Sequence, residues 1–124
     1  MDMTREEMKR RTNAYANRTI KVCEALPDNW MARTLGSQLL RCGISVGANY
    51  RAICRAKSKA DFLNKLRIVE EECDESLFWM ELLVQNEFIT ASRLNSLMDE
   101  GDQLVAIFVA SAKTIRASSA KSFI

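Results

Sequence analysis

Apolar residues recur along this chain at steps of three, four and seven, the spacing that places them on one face of an α-helix. Four segments carry this pattern, separated by short polar stretches. The second contains QLLRCGISVGANYRAICRA at residues 38–56, where the apolar face has glycines along one side and polar residues along the other. The pattern predicts helices over about residues 5–25, 30–56, 59–86 and 91–116.

Helix-start signals and short connections indicate how the four predicted helices are arranged. Residues with side chains that cap helix N-termini precede each segment: Thr4, Asp28 or Asn29, Ser58, and Thr90 or Ser92. Helices joined by connections of a few residues lie beside one another with alternating direction. We therefore predict an all-α fold, a single domain over residues 1–124 formed by an antiparallel up-down-up-down four-helix bundle.

A stripe of glycines follows the second segment at Gly36, Gly43 and Gly47. Each glycine disfavours helix by about 1 kcal/mol relative to alanine, so we favour close approach of another helix where a side chain would not fit. The alternative is that the glycines are merely tolerated in a well-packed helix. In an oligomer, we expect either this stripe or the flanks at Phe78 and Trp79 to contact other subunits.

The opposite flank of the second helix is polar, and we interpret it as structural packing against the third helix. Asn49 lies between the apolar seam and this flank, so we predict that it has a partner across the bundle. The predicted structural network comprises Gln38, Arg41, Ser45, Asn49, Glu72 and Ser76.

Charge is unevenly distributed along the 124 residues, although the net charge is only +2. Residues 1–59 hold 12 Lys and Arg against 5 Asp and Glu, whereas residues 60–124 hold 6 against 11. Such asymmetry indicates either a surface that binds a polyanion or basic and acidic helices that pair with each other, within the bundle or between subunits.

Cations of the first two helices are the candidate nucleic-acid contacts, because Lys and Arg bind phosphate without reading sequence. They form one patch if the outer faces of the two helices adjoin, and Tyr50 is the sole aromatic candidate for base stacking near them. The alternative is a solvated charged face. The candidate residues are Lys9, Arg10, Arg11, Arg18, Lys21, Arg33, Arg51, Arg55, Lys57 and Lys59.

Several kinds of chemistry are excluded by the composition. The chain has no histidine, so neither a Ser-His nor a Cys-His nucleophile is available, nor the Glu-x-x-His pairs of bundle di-metal sites. Within the acidic run at residues 70–75, we therefore expect Glu71 and Glu75 to pair with basic residues of helix 2 or to face water. We predict no enzyme activity, no catalytic residues, no metal and no cofactor.

The cellular setting follows from the cysteines and the hydropathy. None of the four cysteines forms a C-x-x-C pair, and three lie on apolar helical faces, which is typical of reduced thiols in a cytoplasmic protein. The charged start MDMTREEMKRR lacks the apolar run of a secretory signal, and no window approaches the roughly 18 apolar residues of a membrane span. We expect a cytoplasmic location and no membrane partner.

The run QLLRCGISVGANY at residues 38–50 resembles the signature of a bacterial four-helix-bundle family named after intervening sequences in 23S ribosomal RNA genes. The resemblance continues through SKADF at residues 58–62 and through Leu66, Glu72, Trp79 and Glu81, and it covers essentially the whole chain. One departure is Ala52, where many members have Glu.

This resemblance implies an antiparallel four-helix bundle that assembles into a ring, typically a homopentamer. It also implies kinship with the accessory proteins of diversity-generating retroelements, basic barrels that bind nucleic acid and a reverse transcriptase. Together with the charge asymmetry, it suggests a non-enzymatic oligomeric scaffold that binds RNA or DNA through helices 1 and 2, as an accessory to a reverse transcriptase or another nucleoprotein. The alternative is a protein–protein interaction module that does not bind nucleic acid.

Overall fold

Four helices make up the computed structural model, which describes residues 4–118. They are α1 (Arg5–Glu24), α2 (Trp30–Ile53), α3 (Lys59–Gln85) and α4 (Ala91–Ala117), and residues 4–118 contain no strand. The all-α class and the four helices predicted from the periodicity are confirmed. None of the helices in this part of the chain has both the length and the hydropathy to span a membrane.

Side-chain caps fix the start of three helices. Thr4 Oγ1 accepts a hydrogen bond from the backbone N–H of Glu7 at 3.0 Å, and Glu7 Oε2 accepts from the Thr4 N–H at 3.1 Å, which completes a capping box. The side-chain oxygens of Asn29 and Ser58 accept hydrogen bonds from backbone N–H groups in the first turns of α2 and α3, respectively. Thr90 occupies the N-cap position of α4 without a side-chain cap hydrogen bond.

Helix α2 ends at Ile53, three residues before the predicted residue 56. Beyond it the N–H groups of Arg55 and Ala56 bond to the carbonyls of Ala52 and Ile53, which are tight i to i+3 turns. The N–H of Lys57 then bonds to Asp61 Oδ2 at 3.0 Å. The capping contacts of α3 thus change the direction of the chain before the apolar pattern of α2 ends in the sequence.

Buried residues of all four helices form one core. Residues at alternating steps of four and three along α3 are buried over the full length of the helix, at Phe62, Leu66, Val69, Cys73, Ser76, Met80 and Leu83. Facing them are Leu39, Val46 and Ile53 of α2, and Leu94, Leu104 and Phe108 of α4. Tyr15 of α1 is fully buried, and its hydroxyl lies 2.7 Å from Ser76 Oγ.

The glycine stripe of α2 lies against α1. A Cβ added at Gly43 would lie 2.7 Å from Thr19 Cβ, and one added at Gly47 would lie 3.3 Å from the carbonyl oxygen of Thr12. The contacts thus run in opposite order along the two helices. Close helix approach is confirmed as the role of the glycines. Of the two surfaces expected to contact other subunits, this leaves the flanks at Phe78 and Trp79, because α1 of the same chain already packs against the stripe.

Glu87 connects α3 to α4 in a left-handed conformation, with φ of 62°. The N–H of Glu87 bonds to the Val84 carbonyl and that of Phe88 to the Leu83 carbonyl, so α3 ends in a Schellman motif. Glycine adopts this conformation without steric cost, whereas a residue with a Cβ does not.

Replacing Glu87 with glycine should therefore raise the free energy of unfolding by about 1 kcal/mol, measured by urea denaturation. Glu87→Ala is the matched control, because it removes the carboxylate but keeps the Cβ. A gain of equal size in both variants would contradict the steric explanation.

Candidate functional site

A groove runs along the outer side of the α1–α2 pair. We call it the α1–α2 groove; it has a volume of about 690 Å³ and is lined by Glu6, Lys9, Arg10, Asn13, Ala16, Asn17, Ile20, Ile44, Gly47, Ala48 and Arg51. The close approach of the two helices at Gly47 brings their outward faces together. Small residues and Ile44, whose side chain is 44% exposed, form part of its lining.

The charge of the α1–α2 groove is mainly positive. Lys9 and Arg10 from α1 and Arg51 from α2 line it, and within the described part of the chain Glu6 is the one carboxylate in its lining. Glu6 lies 3.8 Å from Lys9 Nζ and is largely solvent-exposed, so it neutralises the groove weakly. Within residues 4–118, Arg10 and Arg51 have no ion-pair partner. Two guanidinium groups are thus available to an anionic ligand.

Two of the predicted phosphate-binding cations face α4 instead. Arg11 makes a bidentate pair with Glu100, at 2.9 Å from Nε and 2.6 Å from Nη2, and this partner raises the pKa of Arg11. Arg18 Nη2 donates to Ser96 Oγ at 2.9 Å. These two cations join α1 to α4 and do not line the groove.

The remaining candidate cations are dispersed. Lys21 lies 3.3 Å from Glu24 on the exposed surface, and Arg33 pairs with Asp28 at the other end of the bundle. Lys59 Nζ donates to the carbonyl oxygens of Arg116 and Ser118, which caps the end of α4. Arg55 and Lys57 are exposed where α2 leads into α3. The ten predicted residues therefore do not form one patch, and the α1–α2 groove brings three of them together.

The polar flank of α2 centres on Arg41, which joins α2 to α3. Its Nη1 lies 3.1 Å from Glu72 Oε2, and its Nη2 pairs with Glu75. The Cys42 thiol donates to Glu75 Oε2 at 2.8 Å, and Trp79 Nε1 donates to the same oxygen at 3.4 Å. We call these five residues the Arg41 cluster.

The expected pairing of Glu75 with a basic residue of helix 2 is confirmed, and that of Glu71 is wrong because Glu71 pairs with Arg67 of its own helix. The predicted network included Arg41 and Glu72 but left out Glu75, whose spacing of three from Glu72 puts it on the same helix face.

Cys42, Glu72 and Glu75 are the kind of ligands that bind metals, and their ligand atoms lie within 4.8 Å of one another. Two features of the structure disfavour a cation here. The guanidinium of Arg41 already supplies the positive charge to both carboxylates. Burial, followed by the hydrogen bond to Glu75, raises the pKa of Cys42 to about 12, so the thiol retains its proton at neutral pH. These three side chains are therefore better suited to contact with the Arg41 guanidinium than to binding a metal ion.

The other predicted network residues are split between separate contacts. Asn49 Nδ2 donates to Ser45 Oγ at 2.6 Å on the same helix, so the prediction of a partner across the bundle is wrong. Residues four apart on a helix are neighbours, and this satisfies Asn49 locally. Ser76 bonds to Tyr15 of α1 rather than to the α2 flank, and Gln38 is exposed. Buried tyrosine hydroxyls need such a partner.

The Arg41 cluster should make the free energy of unfolding depend on pH in the acidic range. The pKa of Glu75 is held below its usual value of 4.5, chiefly by the Cys42 thiol hydrogen bond. A carboxylate with a lower pKa in the folded state stabilises the protein above its unfolded pKa, and this contribution is lost as pH falls through the folded pKa. The loss of unfolding free energy caused by Glu75→Gln should therefore be present at neutral pH and shrink below about pH 4.5.

Urea unfolding across pH measures this difference, with Glu81→Gln as the control, since Glu81 is exposed on the same helix. A difference between Glu75→Gln and the wild type that is constant with pH would contradict the assignment.

The fold seen here is shared by a solved structure of a different chain. A protein of unknown function from the S23 ribosomal protein family of Bacteroides thetaiotaomicron matches it with a TM-score of 0.83 and 31% sequence identity. The match covers 90% of this chain and 99% of that one. The class of protein is thus a four-helix bundle of this type.

Residues 5–110 match the 23S rRNA-intervening sequence protein family, and the chain belongs to this family. The resemblance inferred from residues 38–50 is confirmed. No curated protein matches the chain. The family name and the solved relative establish ancestry and fold, and neither states an activity.

Proposed function

We propose that this protein is a non-enzymatic scaffold that binds the phosphate backbone of RNA or DNA in the α1–α2 groove. The observation that supports this most directly is the convergence of Lys9, Arg10 and Arg51 on one groove, whose lining includes a single carboxylate among the described residues. Cations on such a surface bind phosphate by releasing counterions, independently of base sequence. None of the described residues that line the groove is aromatic, so no ring is offered for base stacking, which favours contact through the phosphate backbone.

The proposal includes an up-down-up-down order of the helices and assembly of several copies, with a pentamer favoured. The helix order is supported by contacts in opposite order along neighbours, such as Lys59 with Ser118 and Cys73 with Gly101 for α3 and α4. Assembly is supported by Phe78, whose side chain is 49% exposed beside the half-buried Trp79. Exposed aromatics of this kind are enriched in interfaces between proteins.

Repetition of the groove around a closed assembly would give several phosphate-binding sites on one particle. When several linked sites bind the same nucleic acid, the overall affinity exceeds that of any one site alone. Such a particle suits an accessory role beside a reverse transcriptase or another nucleoprotein in the cytoplasm. The thiols are consistent with that compartment, since Cys23, Cys42, Cys54 and Cys73 are all free.

Electrophoretic mobility shifts across a salt series test the binding. We expect affinity for single-stranded and duplex probes that falls steeply as salt rises. An absence of binding at low salt, or binding that salt does not change, would contradict the proposal. Light scattering coupled to size exclusion tests assembly separately, and a mass near 14.1 kDa would refute it.

A protein-interaction module is the second candidate, and the exposed Phe78 favours it. A pull-down from nuclease-treated lysate separates the two functions. Partners held through nucleic acid are lost on this treatment, whereas partners held by direct protein contact remain.

A further inference from the structure

A second cavity lies away from the α1–α2 groove, where the start of α1 meets the last turns of α4. We call it the α1–α4 cavity; its volume is about 370 Å³, and Met8, Leu66, Ile107 and Phe108 form much of its apolar wall. Small-molecule sites typically enclose about 300–1,000 Å³ and combine an apolar lining with few polar groups. In helical bundles such sites lie between helices.

Tyr50 places an unpaired hydroxyl in this cavity. The residue is only 7% exposed and lines the cavity, with its ring stacked on that of Phe108 at 6.3 Å between centroids. Its hydroxyl has no hydrogen-bond partner within residues 4–118. No fully enclosed side-chain oxygen in this part of the chain lacks a partner, so the hydroxyl oxygen of Tyr50 is accessible rather than enclosed. An accessible hydroxyl without a protein partner, on a residue that lines the cavity, is available to a ligand.

Burial raises the pKa of Tyr50 to about 12, so its hydroxyl keeps its proton and can donate at neutral pH. A group that accepts a hydrogen bond therefore matches this end of the cavity.

Among residues 4–118, Arg5 is the single charged residue that lines the cavity. Its guanidinium carbon lies 5.5 Å from the centre of the Phe62 ring, which holds the cation over the aromatic face. No carboxylate in residues 4–118 lies within ion-pair distance of Arg5. An anionic group is therefore favoured here, and a cationic one is repelled.

We propose that the α1–α4 cavity binds a small amphipathic carboxylate, such as a straight-chain fatty acid of medium length. Its carboxylate pairs with Arg5 and accepts a hydrogen bond from the Tyr50 hydroxyl. Its hydrocarbon chain lies along Met8, Leu66 and Ile107. The cavity shares no lining residue with the α1–α2 groove, so this inference does not depend on nucleic-acid binding.

Isothermal titration of the full-length protein with octanoate tests the proposal, and we expect saturable binding. Arg5→Gln should weaken it about tenfold, because a hydrogen-bonded charge pair is lost. Lys113→Gln is the matched control, since it removes one exposed cation from α4 outside the cavity and should leave the affinity unchanged. Octylammonium, with the same chain and opposite charge, should not bind.

Methyl NMR spectra locate the ligand. Octanoate should shift the methyl signals of Met8 and Leu66 and leave that of Ile44, in the other groove, unchanged. The proposal is overturned if octanoate does not saturate the protein, if octylammonium binds equally well, or if Arg5→Gln binds octanoate with wild-type affinity. Shifts confined to Ile44 would also overturn it.

Discussion

Replacing Gly43 with alanine should lower the free energy of unfolding by about 1 to 2 kcal/mol, although alanine is the better helix former. A Cβ at this position would lie 2.7 Å from Thr19 Cβ, closer than real contacts allow. Thr19 is fully buried, and its hydroxyl donates to the Ala16 carbonyl at 2.7 Å, so its side chain has no free space to enter. Helices α1 and α2 must therefore separate, at a cost typical of overpacked cores.

Gly36→Ala is the matched control for this substitution. Gly36 is also buried in α2, and its added Cβ would also meet an atom at 2.7 Å. That atom is Leu26 Cδ1, the end of a flexible and half-buried side chain that can rotate away. We expect Gly36→Ala to be neutral or stabilising in urea denaturation, because the helix gains up to about 1 kcal/mol. Equal effects at both positions would show that close packing against Thr19 is not what constrains Gly43.

The second large effect concerns the α1–α2 groove. A triple variant in which glutamine replaces Lys9, Arg10 and Arg51 should bind duplex DNA with a weaker salt dependence. The slope of log affinity against log salt concentration should fall in magnitude by about 2.7, because each lost phosphate contact removes about 0.9. Affinity at low salt should fall accordingly. Mobility shifts at several salt concentrations measure both quantities, and urea denaturation checks that the variant is folded.

The control for the groove variant carries the same change in net charge. Arg67, Arg93 and Lys113 are exposed cations that do not line the α1–α2 groove, and their replacement with glutamine removes three charges elsewhere. We expect most of the salt slope to remain in this control. If both variants lose affinity equally, binding follows net charge rather than the groove.

Much of the fold could be predicted because its signals are local. The helices begin at residues 5, 30, 59 and 91, where the sequence placed them, and their ends differ by no more than three residues. A side-chain cap acts on N–H groups two or three residues away, so it can be read without tertiary information. The periodic apolar face of α3 likewise fixes which residues are buried.

The candidate site was harder to predict because adjacent residues on a helix face different neighbours. Arg10 lines the α1–α2 groove, whereas Arg11, one residue later, pairs with Glu100 of α4. Successive side chains are rotated by about 100° around the helix. The periodicity shows that Arg10 and Arg11 point in different directions, but it does not say which neighbouring helix each side chain faces.

The sequence by itself determined the four helices, the buried face of each and the membership of the family. Only the tertiary structure decided that Lys9, Arg10 and Arg51 line one groove and that Tyr50 and Arg5 line one cavity. It also decided that α1 is the helix that packs against the glycine stripe of α2. The reason is physical. Helix formation and capping depend on residues a few positions apart, whereas each of these sites joins side chains from different helices.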